Sequence, residues 1–343
     1  MPRKKKATKK AGKKRKKRSR KPTRTKKKKT QAKAVEKKVK KKKKPLLPKE
    51  IQSLLPLAAP EGFKLKFGPA GRPTVYKGSV EEAPVFISKE LWLDAYEIQQ
   101  SRRISLDETR SNILRDNAVA NNIVLSVHAP YAVNLLSVEE EKIKASIDRL
   151  VQCSWIAHWC GARIVVFHPG YYGNIEPNRA LELVIQNLEP VANVIKSKKL
   201  NVFLGPETMG KISQFGTVDE LIEVAKAIPE VRIVFDVAHI HAREQGSLND
   251  YSAYDKLFSR VESELGSKYI KNMHIHYTKV EYGDKGEIRH AVLGAGMGPE
   301  LDPLLEWLIN NDIEAVIISE SPILEIDAIR MKHRAIEIYK KHK

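Results

Sequence analysis

The chain has 343 residues and a formal charge of +21, and that charge is concentrated at one end. Residues 1–50 hold 28 Lys and Arg against only Glu36 and Glu50, about +26, which leaves about −5 on the remainder. No apolar run approaches the ~18 residues that read as a membrane span, no signal-peptide pattern is visible, and two cysteines make no disulfide framework, so neither a membrane-spanning nor a disulfide-stapled secreted protein is expected.

Residues 1–46 open with "MPRKKKATKKAGKKRKKRSRKPTRTKKKK", which lacks aromatic residues and has almost no apolar ones. Such a stretch buries too little surface to offset its ordering entropy, so a disordered arm is expected. Its cation density suits a polyanion, because each phosphate it neutralises releases counterions. The plainer reading is a solubility or localisation tail. A membrane-surface role lacks the apolar face that interfacial helices use.

Residues 47–62 read as a Pro-rich linker, and 63–343 as one domain. Short β-like runs then alternate with longer amphipathic ones. The expected strands are "FKLKFG" (63–68), "LDAYEI" (93–98), "NIVLSVHAP" (122–130), "ARIVVFHPG" (162–170), "NVFLGPE" (201–207), "VRIVFDVAH" (231–239), "IKNMHIHY" (270–277) and "EAVIISES" (314–321). Helix-like stretches separate them, one introduced by Thr217 or Asp219 as a cap. Cys153 and Cys160 fall seven apart in such a stretch, about two turns, too far to bridge. Free thiols suit a reducing compartment: cytoplasm or nucleoid, or a nucleus.

Eight strand–helix units in about 280 residues predict a (β/α)8 TIM barrel of the α/β class. A doubly wound sheet is the rival, but "FGPAGRP" (67–73) lacks the glycine spacing of its phosphate loop.

In a barrel, strand C-termini converge on one mouth. His128, His168, Glu207, Asp236, His274 and Glu320 end strands three to eight, and His239 follows Asp236 by three residues. One such residue is ordinarily a hydrogen-bonded or capping group. Six in succession would crowd charge into a dry pocket unless a cation offsets it. Imidazole suits zinc, and mixed N and O ligands also admit Mn2+ or Fe2+. By alternation His276 shares the face of His274, about 6.6 Å along the strand, where it would contact substrate or support a ligand. His158, His333 and His342 lie in helices and carry no assigned role.

The pieces "HAPYAVNL" (128–135), "HPG" (168–170), "ETMGKISQFG" (207–216), "DVAH" (236–239), "HIHYTK" (274–279), "RH" (289–290) and "ESP" (320–322) resemble, in order, those of the endonuclease IV family of apurinic/apyrimidinic endonucleases. The resemblance runs from about residue 63 to the end and implies a multi-zinc centre of two to three ions. His128, His168 and Glu207 would hold the first. Glu207 would bridge to the second, completed by Asp236, His274 and Glu320. His239 and His290 would hold the third. The family places an aspartate two residues before the last histidine; here that residue is Ile288, so either Glu287, Asp284, His241 or water replaces it or the third site is weaker than the other two.

The resemblance further implies hydrolysis of the phosphodiester 5′ to an abasic site, leaving a 3′-hydroxyl and a 5′-deoxyribose phosphate, with Glu207 and Glu320 as the catalytic carboxylates. The implied partner is double-stranded DNA with abasic or 3′-blocked sites, with the arm on its phosphates. A monomer without membrane contact is expected. Tyr131 would line the pocket, and Arg102 and Arg103 would touch the duplex. The rival is a single-metal sugar isomerase or epimerase of the xylose-isomerase-like barrels, which matches Glu207, Asp236, His239, His274 and Glu320 but leaves His128, His168 and His290 unexplained. A catalytically dead nucleic-acid-binding barrel is a third reading.

Overall fold

The computed structural model of the chain describes residues 47–101, 104–295 and 297–342. The arm, Arg102 and Arg103 lie outside the described residues. Eight parallel strands are present: β1 (Leu65–Pro69), β2 (Ala95–Gln99), β3 (Val124–His128), β4 (Ile164–Phe167), β5 (Phe203–Pro206), β6 (Val234–Asp236), β7 (Asn272–Tyr277) and β8 (Glu314–Ser319). They pair in two runs, β2-β3-β4-β5 and β6-β7-β8-β1. Parallel bridges at Ala70–Glu97 and at Leu204–Val231 and Glu207–Val234 join the runs, so the sheet closes as the barrel expected from the repeat.

Closure requires close approach at the β1–β2 seam. A side chain at Gly68 would collide with the Ala95 carbonyl oxygen, so only glycine fits there. Outward-facing residues pack beneath the helices. Met273, Ile275 and Tyr277 of β7 join the main apolar core, while His274 and His276 alternate with them and face the barrel axis. The flanking helices include α1 (Ala83–Leu91), α2 (Glu108–Ala120), α3 (Glu140–Cys160), α4 (Pro177–Lys198) and α5 (Val218–Ala227). At the start of α5 Thr217 and Glu220 form a reciprocal capping box. Then follow α6 (Val237–Arg243), α7 (Tyr251–Leu265), α8 (Leu301–Asn310) and α9 (Glu325–His342).

The segment 47–62, expected as a linker, packs on the barrel instead. Ile51 is 1% exposed within the core, Leu57 is buried, and Glu50 pairs with Arg330 of α9 at 2.7 Å. Its apolar "IQSLL" outweighs the prolines around it. Cys153 and Cys160 are buried free thiols. Among the described residues no helix is long and apolar enough to cross a membrane.

Two antiparallel ribbons rise above the mouth. One pairs Gly170–Tyr171 with Gln214–Phe215. The other is the hairpin Lys279–Gly283 with Gly286–Ala291, turning through Asp284 and Lys285.

Candidate metal centre

The mouth is built from residues at or just beyond the strand ends. His128 closes β3. His168 and Glu207 follow β4 and β5 directly. Asp236 closes β6 and caps α6: its Oδ1 accepts the His239 backbone N–H at 2.8 Å, which leaves Oδ2 directed elsewhere. Glu320 follows β8, and His290 comes from the hairpin. Their ligand-type atoms form three groups, each within 4.8 Å: His128, His168 and Glu207; Glu207, Asp236, His276 and Glu320; and Asp236, His239 and His290.

Glu207 sits between the first two groups. Its Oε2 lies 3.4 Å from His128 Nε2 and 3.3 Å from His168 Nε2. Its Oε1 lies 3.1 Å from His239 Nδ1 and 3.6 Å from His276 Nδ1. Yet neither oxygen has a hydrogen-bond partner among the described residues, and the same is true of Asp236 Oδ2 and His276 Nδ1, all of them buried. Unpaired buried polar atoms are costly. These unpaired atoms are shared between the first two groups, with Glu207 Oε2 toward His128 and His168 and Oε1 toward His276, a placement that fits bound cations.

The imidazole tautomers agree. A carbonyl oxygen only accepts, so a ring nitrogen bonded to one carries the proton. His128 Nδ1 donates to the Ala129 carbonyl at 2.8 Å, His239 Nδ1 to Thr208 at 2.9 Å, and His290 Nδ1 to Glu320 at 3.1 Å. In the neutral ring each Nε2 therefore offers a lone pair to the mouth, the arrangement that metal-binding imidazoles use.

The ionisation pattern shows the same need for positive charge. Burial alone would raise the Glu207 carboxyl, but His168, His276 and His128 hold it well below the usual range. Burial likewise opposes charge on His239, yet Asp236, Glu207 and Glu287 hold its pKa well above 6.5. His276 is held high against burial by Glu97, Glu320 and Glu207. Asp236 is pushed up to about 6, by burial first and then by Glu207 and Glu320. Without metal, protons occupy the place of cations.

At β7 the grouping differs from the sequence reading. His276, not His274, joins Glu207, Asp236 and Glu320. His276 is level with Asp236 in the sheet register, whereas His274 is level with Val234, two residues deeper. His274 instead meets Glu97, 3.0 Å from its Oε2, and burial lowers its pKa. Glu97 was missed by sequence reasoning. Its signal was an acid inside the apolar run "AYEI", where a charge survives only if fully paired.

The hairpin brings a carboxylate, Glu287, beside His239 and His290. The ladder pairs Tyr282 with Glu287 and Glu281 with Arg289, leaving Ile288 as the extra residue of a bulge, 64% exposed. The bulge turns Glu287 inward, with oxygens 3.5 Å from His239 Nε2 and 3.6 Å from His290 Nε2. Docking depends on two glycines. Glu287 N–H donates to the Gly210 carbonyl at 3.0 Å, and a Cβ on Gly210 would sit 2.8 Å from Glu287 Cβ and 2.9 Å from the His239 ring. Gly286, at φ +88°, packs against the Gly210 carbonyl where no side chain fits. Asp284 is exposed at the hairpin tip, and His241 Nδ1 accepts the Leu248 N–H at 3.1 Å, so neither replaces Ile288.

Tyr131 is 62% exposed, its ring 5.8 Å from His128 and 5.7 Å from His168. It borders a mouth cavity of about 490 Å³ that Tyr96, Gln99, Ser101, His290 and Glu320 also line.

A closed (β/α)8 barrel whose mouth gathers imidazoles and carboxylates around unpaired atoms defines a metal-dependent barrel enzyme. The chain belongs to the xylose isomerase-like TIM barrel family, whose model matches residues 88–339. It is 35% identical over 265 residues to an uncharacterized protein of Methanocaldococcus jannaschii, covering 77% of this chain and 94% of that one. It is 29% identical over 226 residues to the "probable endonuclease 4" of Mycoplasma pneumoniae, covering 64% and 75%. The fold matches endonuclease IV from Thermus thermophilus at TM-score 0.60 and 17% identity, over 78% of this chain and 97% of that one. It matches a D-tagatose 3-epimerase-like protein at TM-score 0.58 and 22% identity, over 73% and 91%.

Proposed function

We propose that the chain is a DNA-repair endonuclease that hydrolyses the phosphodiester 5′ to abasic sites at a centre of two to three zinc ions, leaving a 3′-hydroxyl and a 5′-deoxyribose phosphate. One observation carries the reading. Two imidazole pairs, His128 with His168 and His239 with His290, flank the four-residue group of Glu207, Asp236, His276 and Glu320. A single-metal sugar isomerase needs only that middle group.

His128, His168 and Glu207 would hold one ion, Glu207, Asp236, His276 and Glu320 a second, and His239, His290 and Glu287 a third. Zinc so held lowers the pKa of water to about 7 and neutralises phosphate charge. The residues do the rest. Glu207, with its two oxygens facing different groups, spaces the first two positions. The carbonyl-anchored imidazoles keep their lone pairs aimed at the mouth without reorganisation. Glu320 and His290 line the open cavity, so a phosphodiester meets the centre from their side. Tyr131 gives an aromatic face at that rim, and a nucleotide lacking its base costs less to turn out of the duplex. Arg102 and Arg103, outside the described residues, would touch the duplex; Ser101, which precedes them in the sequence, lines the cavity.

The test is incision of a duplex bearing one tetrahydrofuran abasic analogue, with and without EDTA, with mapping of both product ends. Chelator-sensitive cleavage on the 5′ side supports the reading. An intact duplex, together with one ion per chain and epimerisation of a ketohexose, would establish the sugar-enzyme alternative.

A further inference from the structure

We infer that Glu97 is the positioning residue of this centre: it fixes the tautomer of His276, so that Nδ1 rather than Nε2 faces the cation. The inference rests on the metal reading above and concerns a residue outside the three groups that form it.

The other anchored mouth imidazoles are held by backbone carbonyls, through Nδ1. His276 differs in both respects. Its Nε2 lies 3.2 Å from Glu97 Oε2, and a carboxylate only accepts, so Nε2 carries the proton. In the neutral ring that a metal would bind, its Nδ1 then bears the lone pair. That atom lies 3.3 Å from Glu320 Oε1 and 3.6 Å from Glu207 Oε1 with no hydrogen-bond partner. Ring orientation and tautomer thus follow from one carboxylate beneath the mouth.

Glu97 is well fixed for this task. It is fully buried on β2, level with Ser126 of β3. Its Oε2 accepts from His274 Nε2 at 3.0 Å and from Ser126 Oγ at 2.9 Å, and its Oε1 from Gln99 Nε2 at 3.1 Å. His274 therefore braces Glu97 from the deeper layer and does not face the mouth.

Glu97 also falls in two further groups close enough to hold a cation, one with His274 and His276 and one with His128 and Glu320. The pattern of unpaired atoms argues against a cation in either. Both Glu97 oxygens are hydrogen-bonded, whereas among the ligand-type atoms of the mouth the unpaired ones are both oxygens of Glu207, Asp236 Oδ2 and His276 Nδ1. A negative charge accepting an imidazole N–H also raises the basicity of the opposite nitrogen, which strengthens it as a ligand; losing such a partner typically weakens metal affinity about 10–100-fold.

The experiment is nitrogen-15 NMR of histidine-labelled protein, zinc-free and zinc-loaded, with His276 assigned by His276→Gln, alongside zinc titration. The expected wild-type signal is Nε2–H with Nδ1 shifted by metal. Glu97→Gln should weaken one ion by about 10–100-fold and scramble that signal, while the remaining ions stay bound. His274→Gln should keep the ion count. A metallated His276 Nε2, or an additional ion lost on His274→Gln, would overturn the inference while leaving the metal centre standing. Absence of bound zinc in the wild type would overturn both. If Glu97→Gln does not fold, the wild-type tautomer decides alone.

Discussion

The Nε2 atoms of His239 and His290 face each other at 3.4 Å. Each ring gives its Nδ1 proton to a carbonyl and the Glu287 carboxylate lies beside both, so with both rings neutral two lone pairs would confront one another. Such lone pairs repel unless a cation lies between them: a proton on His239 in the metal-free chain, or a metal ion in its place. His239 sits on α6 and His290 on the hairpin, so a shared ion would tie the hairpin to the barrel.

Glu287→Gln should release about one ion at a chelator concentration that leaves the others bound, whereas Ile288→Asp should change little. Ile288 alone implies a weak third position; under the proposed reading Glu287 would restore its carboxylate. Graded chelation with atomic absorption measures this. A gain of affinity in Ile288→Asp would show that the bulge can re-register and that Glu287 is not the ligand.

Glu207→Gln should lower incision by more than ~100-fold. Loss of a supporting partner already costs about 10–100-fold, and Glu207 faces two groups at once. Far-ultraviolet circular dichroism should stay near wild type, because Glu207 contributes no core packing. A folded variant with near-normal incision would remove Glu207 from the centre.

The metal-free protein should lose thermal stability as pH rises above 6.5. His239 faces Asp236, Glu207, Glu287 and His290, and His276 faces Glu97, Glu320, Glu207 and His128. Both pKa values stand well above 6.5 in the folded chain. A raised folded pKa gives stability that is full below the unfolded value and lost as pH climbs through the folded one. Saturating zinc replaces those protons and should remove most of the slope. Melting curves in EDTA and in zinc at several pH values test this; parallel slopes would refute it.

Deleting residues 1–46 should weaken DNA binding at low salt and flatten its salt dependence. The slope of log K against log salt reports neutralised phosphates, at about −0.9 per contact. The body carries about −5, so long-range attraction must come from the arm. Single-turnover incision at saturating enzyme should change little, since the arm offers no metal ligand. Identical slopes for full-length and truncated protein would leave the arm a localisation or solubility tail.

The barrel was legible in the sequence because two periods, alternation within strands and the strand–helix repeat, are local properties of the chain. So were the ligand types at the strand ends. Three features were not. Alternation places residues i and i+2 on one face, so His274 and His276 look equivalent; only hydrogen bonding to β6 and β8 sets which one stands level with Asp236. A bulge shifts facing by one residue, and only docking of Gly286 on Gly210 shows that Glu287, not position 288, turns inward. Glu97 lies 177 residues from His274 and 179 from His276, a pairing that exists only once the barrel closes. Local periodicity determined the fold and the kinds of residue at its mouth; long-range register, a property of the closed sheet, decided which of them meet.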